Sequence, residues 1–318
     1  MSESNSNKMR EIEAIRIMAK ITESDWNSCI ENLKEILSIA NSLIFDRANR
    51  VNIIETERLH ISNLLVQKIL LHSSTIIANA EGVLYPLKNN NEIHIQDPFS
   101  LNVIFRSLVE CYLTLHHINF SETEEQKEIK FKLWSQYGLR QRGKMTITAL
   151  KEEGEVIQEN DRETIEELVK EIKSNINFLN LDEGKKATFL HQITKDWKFG
   201  FKKNTYLKYS WQELLDKSGL KSELYMYLYN YLSWFAHSSS ISIYQLRDIY
   251  SEHREIEEIR NVIRNTAVFV AVAITDLIKI DREFKKQFDL LNQEEQNLIN
   301  MYNFTFRDES HTIDFQKE

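Results

Sequence analysis

Apolar residues recur at intervals of three and four along most of the chain, which is the period of helices buried on one face. Residues 8–46 read as one or two amphipathic helices, with Ser24 as a cap ahead of Asp25 and Trp26. Residues 51–81 read as a long helix ending near Gly82. The stretch 85–98 reads as a loop with a short strand at Glu92–Ile95, and a helix follows from Pro98 to about Ile118. Residues 122–151 read as a long charged helix interrupted near Gly138 and Gly143, and 152–181 as an acidic outer helix capped by Asp161 or Thr164. The segment 197–211 has no helical period and reads as a loop or short hairpin. Helices then follow at 211–217, 220–237, 241–253 and 255–285, and beyond about 302 the period fades into a loosely held tail. The pattern predicts an all-α bundle over residues 1–302 as a single domain, with at most a short β element near 85–97 or 197–211.

Two of these helices carry a polar stripe on an otherwise apolar surface. At about 100° per residue, Arg106, Glu110 and His117 fall within roughly 40° of one another, flanked by Asn102 and Thr114. On 222–237, Glu223, Asn230, Ser233 and His237 fall within about 80°. A helix apolar almost all round belongs inside, and its polar stripe must then be paired or face a cavity. Packing stripe against stripe would place Arg106, Glu110, His117, Asn230, Ser233 and His237 around one cleft. The competing reading is an internal network, with Arg106 paired to Glu110 one turn away and His237 capping a carbonyl.

Composition narrows the picture. Seven glycines and two prolines in 318 residues are few, against roughly 22 and 16 at ordinary usage, which argues for helices over sheets. A formal net charge of -8 argues against wholesale wrapping by nucleic acid but leaves room for a local basic patch. Cys29 and Cys111 lie in amphipathic or apolar stretches without metal-ligand spacing and read as reduced core cysteines. The most apolar run, 266–280, is short for a membrane span and contains Asp276, and the N-terminal residues lack an apolar signal core. These features together predict a cytoplasmic protein with no membrane partner. Glu110, His117, His237 and Asp276 are the residues that metal chemistry would use, but no zinc or di-iron motif joins them, so no metal or cofactor is expected. Phosphate-loop, dinucleotide and serine-hydrolase motifs are absent as well.

One surface feature stands apart. Lys195, Lys198, Lys202, Lys203 and Lys208 interleave with Trp197, Phe199, Phe201, Tyr206 and Tyr209, and a second basic stretch runs through Lys127, Lys130, Lys132, Arg140, Arg142 and Lys144. Lysines neutralise phosphates and aromatic faces stack on unpaired bases, so Lys198, Lys202, Lys203 and Lys208 with Trp197 and Tyr206 suit RNA or single-stranded DNA. The alternative is a solvated loop whose aromatic side chains dock on the bundle.

The segments "FRSLVECYLTL" (105–115) and "SWQELLDKSGLKSELYMYLYNYLSWFAHSSS" (210–240) resemble a bacterial all-helical family of unknown function, of the DUF5677 type. Arg106 and Glu110 match its Arg-x-x-x-Glu helix; Tyr225, Tyr229, Ser233 and His237 match its later helix end. The resemblance implies the bundle and the pairing of the two helices, and no reaction. More distantly, "LSWFAH" (232–237) is similar to the helix end of HEPN bundles, many of them metal-independent ribonucleases, but Leu232 or Tyr231 stands where their arginine would be. Arg247 and His253 match the HEPN spacing literally on a helix that reads as exposed. The resulting expectation is a helical interaction or sensor module in a bacterial defence or stress system, with RNA, a protein partner or a second copy of itself as partner. The alternative is a HEPN-like ribonuclease, with His237 as general base and Arg106 stabilising charge on the phosphate.

Overall fold

The longest apolar pattern forms the innermost helix. In the computed structural model, which describes residues 25–48, 55–88, 91–144, 151–237 and 239–308, helix α12 (Glu255–Ile280) buries every residue from Thr266 to Ile278. Apolar on nearly all sides along this stretch, it belongs inside. Three glutamates stand in its first turn and Lys279 in its last, each matched to the helix dipole. The run 266–280 is thus part of a 26-residue helix. By length and composition α12 and α2 (Glu57–Ala80) could each cross a membrane, and 83% of the most apolar window of α12 is buried inside the protein.

The described residues gather into two compact units. The first runs through Leu115 and resumes at Leu215; the second is His116–Leu214. The first contains α1 (Trp26–Ala48), α2, the hairpin β1 (Val83–Pro86) and β2 (Glu92–Ile95), and most of α3 (Pro98–Asn119). It continues with α9 (Ser222–Tyr225), α10 (Leu228–Ala236), α11 (Ser240–Ser251), α12, α13 (Arg282–Asp289) and α14 (Gln293–Phe306). Phe105, Tyr112 and Tyr225 all set their rings edge-on to Phe269, which ties α3 and α9 to α12. The second unit holds the end of α3, α4 (Glu124–Gly143), α5 (Lys151–Ser174), α6 (Ile176–Leu179) and α7 (Glu183–Gln192). It also holds the hairpin β3 (Phe199–Lys202) and β4 (Thr205–Lys208), and α8 (Trp211–Lys217) starts within it. Among the described residues the protein is therefore all-α apart from two antiparallel hairpins.

Four local readings change. The stretch 85–98 belongs to a full hairpin, entered at Gly82, whose φ of 85° and contact with the Ile95 carbonyl leave no room for a Cβ. The expected helix 220–237 breaks at Met226 and Tyr227 into α9 and α10. The expected helix 255–285 ends at Ile280, because the Asp281 carboxylate turns away to cap α13, accepting from the Glu283 and Phe284 amides at 2.9 and 3.2 Å. Its other oxygen binds buried Arg47. Asp161 is no helix cap: it lies within α5, where Arg142 of α4 donates to it at 2.7 Å. Ser24, the helix expected before it and the residues beyond 308 lie outside the described residues.

The first residues of the expected tail are held in place. Asn303, Thr305, Phe306 and Arg307 are buried at the end of α14 and just beyond it. The Arg307 guanidinium, 1% exposed, donates to both carboxylate oxygens of Asp276 at 2.6 and 2.7 Å and to the Tyr112 hydroxyl. Two charges buried in this way must pair with each other, and the pair fixes the segment to α12.

Candidate functional site

The two stripes do bring α3 and α10 together, through a different residue than the stripe arithmetic selects. Arg106 Nε donates to Glu110 Oε1 at 3.1 Å, closing the i,i+4 pair. Its Nη2 donates to the Tyr229 hydroxyl at 2.8 Å, and that hydroxyl donates to Glu110 Oε1 at 2.8 Å. The guanidinium also lies 5.1 Å from the centre of the Tyr229 ring. Arg, Glu and Tyr thus form a closed triangle of hydrogen bonds between two helices, with the Tyr229 side chain buried and the charged groups half-buried. Burial, together with donation to the Glu110 carboxylate, pushes the Tyr229 phenol up to about 12.

Neither Ser233 nor His237 reaches the side-chain groups of this triangle by a hydrogen bond between described residues. Ser233 turns its hydroxyl back to the Tyr229 carbonyl at 2.9 Å, one turn earlier on its own helix. His237 is the exposed C-cap of α10, extended at φ -123° and ψ 138°. It lies two turns, about 12 Å, from Tyr229 along the axis. Asn230 is exposed on the outer side of α10. The buried side chains Tyr229, Leu232 and Phe235 set the inner face of α10, so Tyr229 meets α3 while Asn230 turns to water. Glu223, on the other side of the break, no longer shares a face with Ser233 and His237.

His117 belongs to the second unit. It is buried, with its ring edge-on to Trp197 and Tyr209 at 5.5 and 6.0 Å. Its Nε2 has no hydrogen-bond partner among the described residues. Burial, reinforced by Lys130 and His116, holds its pKa well below the ordinary histidine value.

The basic and aromatic segment forms a hairpin turned at Lys203 and Asn204, with Lys203 left-handed at φ 52°. Its aromatic side chains point inward. Trp197, Phe199 and Phe201 are buried, and Tyr206 lies 4.8 Å from the Phe189 ring. Lys198 is bound to Asp196 at 2.7 Å and lies over the Trp197 and Trp211 rings. Burial resists ionisation of Asp196, but the Lys198 ammonium and backbone amides hold its pKa below the usual carboxylate value. Lys208 also reaches Asp196, at 3.2 Å, while Lys202 and Lys203 stand exposed. The stacking platform expected from Trp197 and Tyr206 is therefore built into the core, because an amphipathic hairpin buries its rings before it offers them to bases. In the second basic stretch, Lys127, Lys132 and Arg142 are held by Glu124, Glu171 and Asp161.

Arg247 is exposed and bridges its neighbour Asp248 at 2.7 Å, and His253 is exposed with φ 55°. No group of three or more His, Cys, Asp or Glu gathers at metal-binding distance among the described residues. Tyr229 is the residue the stripes miss. A phenol counts as apolar in a polar stripe, so only the family resemblance pointed to it.

Compared with known proteins, residues 64–255 match the model of a family of unknown function, DUF5677, which spans both α3 and α10. No curated protein and no solved structure matches the chain.

Proposed function

The chain belongs to the DUF5677 family, and within it we propose that the protein is a non-catalytic helical interaction or sensor module. The triangle of Arg106, Glu110 and Tyr229 carries this reading. Arg106, Glu110 and Tyr229 hydrogen-bond to one another through their side chains, and the Tyr229 phenol, at about 12, keeps its proton at neutral pH. Such a cluster fastens two helices and is poorly suited to transfer protons. His237 lacks what a general base needs, a hydrogen-bonded partner that orients its ring, among the described residues. What α10 and the helix after it, α11, offer to a partner are exposed apolar side chains: Trp234, Ile241, Ile243, Tyr244 and Leu246. Aromatic and aliphatic residues exposed together are what a protein-binding surface requires.

The ribonuclease alternative has one observation in its favour, the exposure of His237 at a helix end where a substrate has access. Incubation of labelled RNA with the wild type and His237→Ala, without added metal, separates the two readings. The interaction module leaves RNA intact in both cases. Cleavage by the wild type, lost by at least about 100-fold in the variant, would replace it with the enzyme.

A further inference from the structure

A cavity of about 390 Å³ opens in the first unit where the chain breaks between α9 and α10. This is the volume of a small-molecule site. It is separate from the Arg106 triangle and does not depend on the function proposed above. Two carboxylates line it, Glu223 and Glu258, and no lysine, arginine or histidine does. Tyr231 donates its hydroxyl to Glu258 Oε2 at 2.7 Å, which holds that carboxylate in place. The nearby cation Arg254 is bound to Glu252 at 2.7 Å and does not line the cavity.

Asn102 gives the second, independent sign. It is 2% exposed and lines the cavity, and its amide nitrogen donates to the Pro98 carbonyl at 2.8 Å. Its Oδ1 has no hydrogen-bond partner among the described residues. Asn265, only half-buried, also lines the cavity, with its nitrogen on the Asn261 carbonyl at 2.8 Å. The Asn102 oxygen is left to accept from a donor placed in the cavity. The two carboxylates and the Asn102 oxygen thus offer acceptors to the cavity, and the Tyr227 and Tyr231 rings add π faces. An ammonium group is the complement: a positive charge with three donors and no acceptor. At the mouth, Leu224, Met226 and Tyr227 are 47%, 48% and 69% exposed, an apolar rim for whatever chain carries that charge.

We propose that this cavity binds a primary ammonium group carried on a short apolar chain. Such a group can come from a free amine or from a lysine side chain of a partner. Calorimetric titration of the full chain tests it with hexylammonium, 2-phenylethylammonium and N-acetyl-lysine methylamide, with hexanoate and tetramethylammonium as controls. The expected result is saturable binding of at least one primary ammonium, no binding of hexanoate, and weaker binding of tetramethylammonium, which has the charge without the donors. Glu258→Gln and Glu223→Gln are isosteric, and the new amide oxygen in Glu258→Gln can still accept from Tyr231. Each should weaken binding, and the two together by at least about tenfold, with melting curves confirming the fold. Preference for the free amines or for the lysine amide identifies the source. Failure of every primary ammonium to bind, equal binding of hexanoate or tetramethylammonium, or full binding by the double variant overturns the proposal. None of these outcomes bears on RNA cleavage, so this site and the reading above fail separately.

Discussion

Tyr229 on α10 donates its phenolic hydrogen to Glu110 on α3 across 2.8 Å, and the same oxygen accepts from Arg106 at 2.8 Å. One hydroxyl therefore satisfies a carboxylate and a guanidinium together. Tyr229→Phe keeps the ring and removes both bonds. Because Glu110 and Arg106 are only partly buried, the expected loss is about 1–2 kcal/mol. A double-mutant cycle with Glu110→Gln in urea should give a coupling of at least ~0.5 kcal/mol. Strict additivity would mean that the hydroxyl and the carboxylate do not act as a unit.

The Arg307 and Asp276 pair makes a sharper prediction. Arg307→Met leaves a carboxylate that is 1% exposed without its counter-charge. The expected cost is about 3–5 kcal/mol, with most of it recovered when Asp276→Leu is added. Denaturant midpoints of the two single variants and the double variant decide this. A double variant no more stable than Arg307→Met would show that the pair is not the reason the single change is harmful.

His117 makes the second unit sensitive to acid. Its folded pKa lies well below the ordinary value because the ring is buried. Above pH about 6.5 both folded and unfolded forms are neutral there and the group has no effect. Below that pH the unfolded chain takes up a proton that the folded chain refuses. Stability should then fall by up to ~1.4 kcal/mol per pH unit until the folded pKa is reached. His117→Phe should remove this acid-side slope. Melting curves at a series of pH values with matching slopes for wild type and variant would rule it out.

For the hairpin, Trp197→Ala should cost about 3–5 kcal/mol, as deletion of a buried large aromatic usually does. Lys202→Glu, at an exposed position, should change stability by no more than ~0.5 kcal/mol. Thermal unfolding of the two variants checks both. A mild Trp197→Ala would mean that the ring is not part of the core.

Long helices with a strong period were readable in advance: α3 spans Pro98–Asn119 against an expected 98–118. The pairing of α3 with α10 was readable too, because two apolar helices with polar stripes have few other ways to satisfy them. Other features depend on contacts remote in sequence. The break at Met226 and Tyr227 interrupts a stretch with an unbroken apolar period, and no Gly or Pro marks it. Helix α7, short and polar at its start, has too few apolar positions to register. Arg307 reads as part of a fading tail because its partner, Asp276, lies on another helix. The lysine and aromatic alternation at 197–209 was visible, but alternation alone does not say which face meets water.

The segment around Arg307 also touches the chain just ahead of α9: the Lys221 amide donates to the Phe306 carbonyl at 3.0 Å, and the Asp308 amide to the Gly219 carbonyl at 2.9 Å. These contacts set an order of events on the ribosome. The second unit is one unbroken run, His116–Leu214, and all of its residues have left the exit tunnel well before residue 307 is added. The first unit is built from stretches on either side of that run, so α12 emerges carrying the charge of Asp276 before the guanidinium that pairs with it in the folded protein. Until Arg307 follows, the innermost helix of the first unit has reason to remain unsettled, and a chain interrupted in α14 should be recognised by chaperones and proteases while its second unit is already folded.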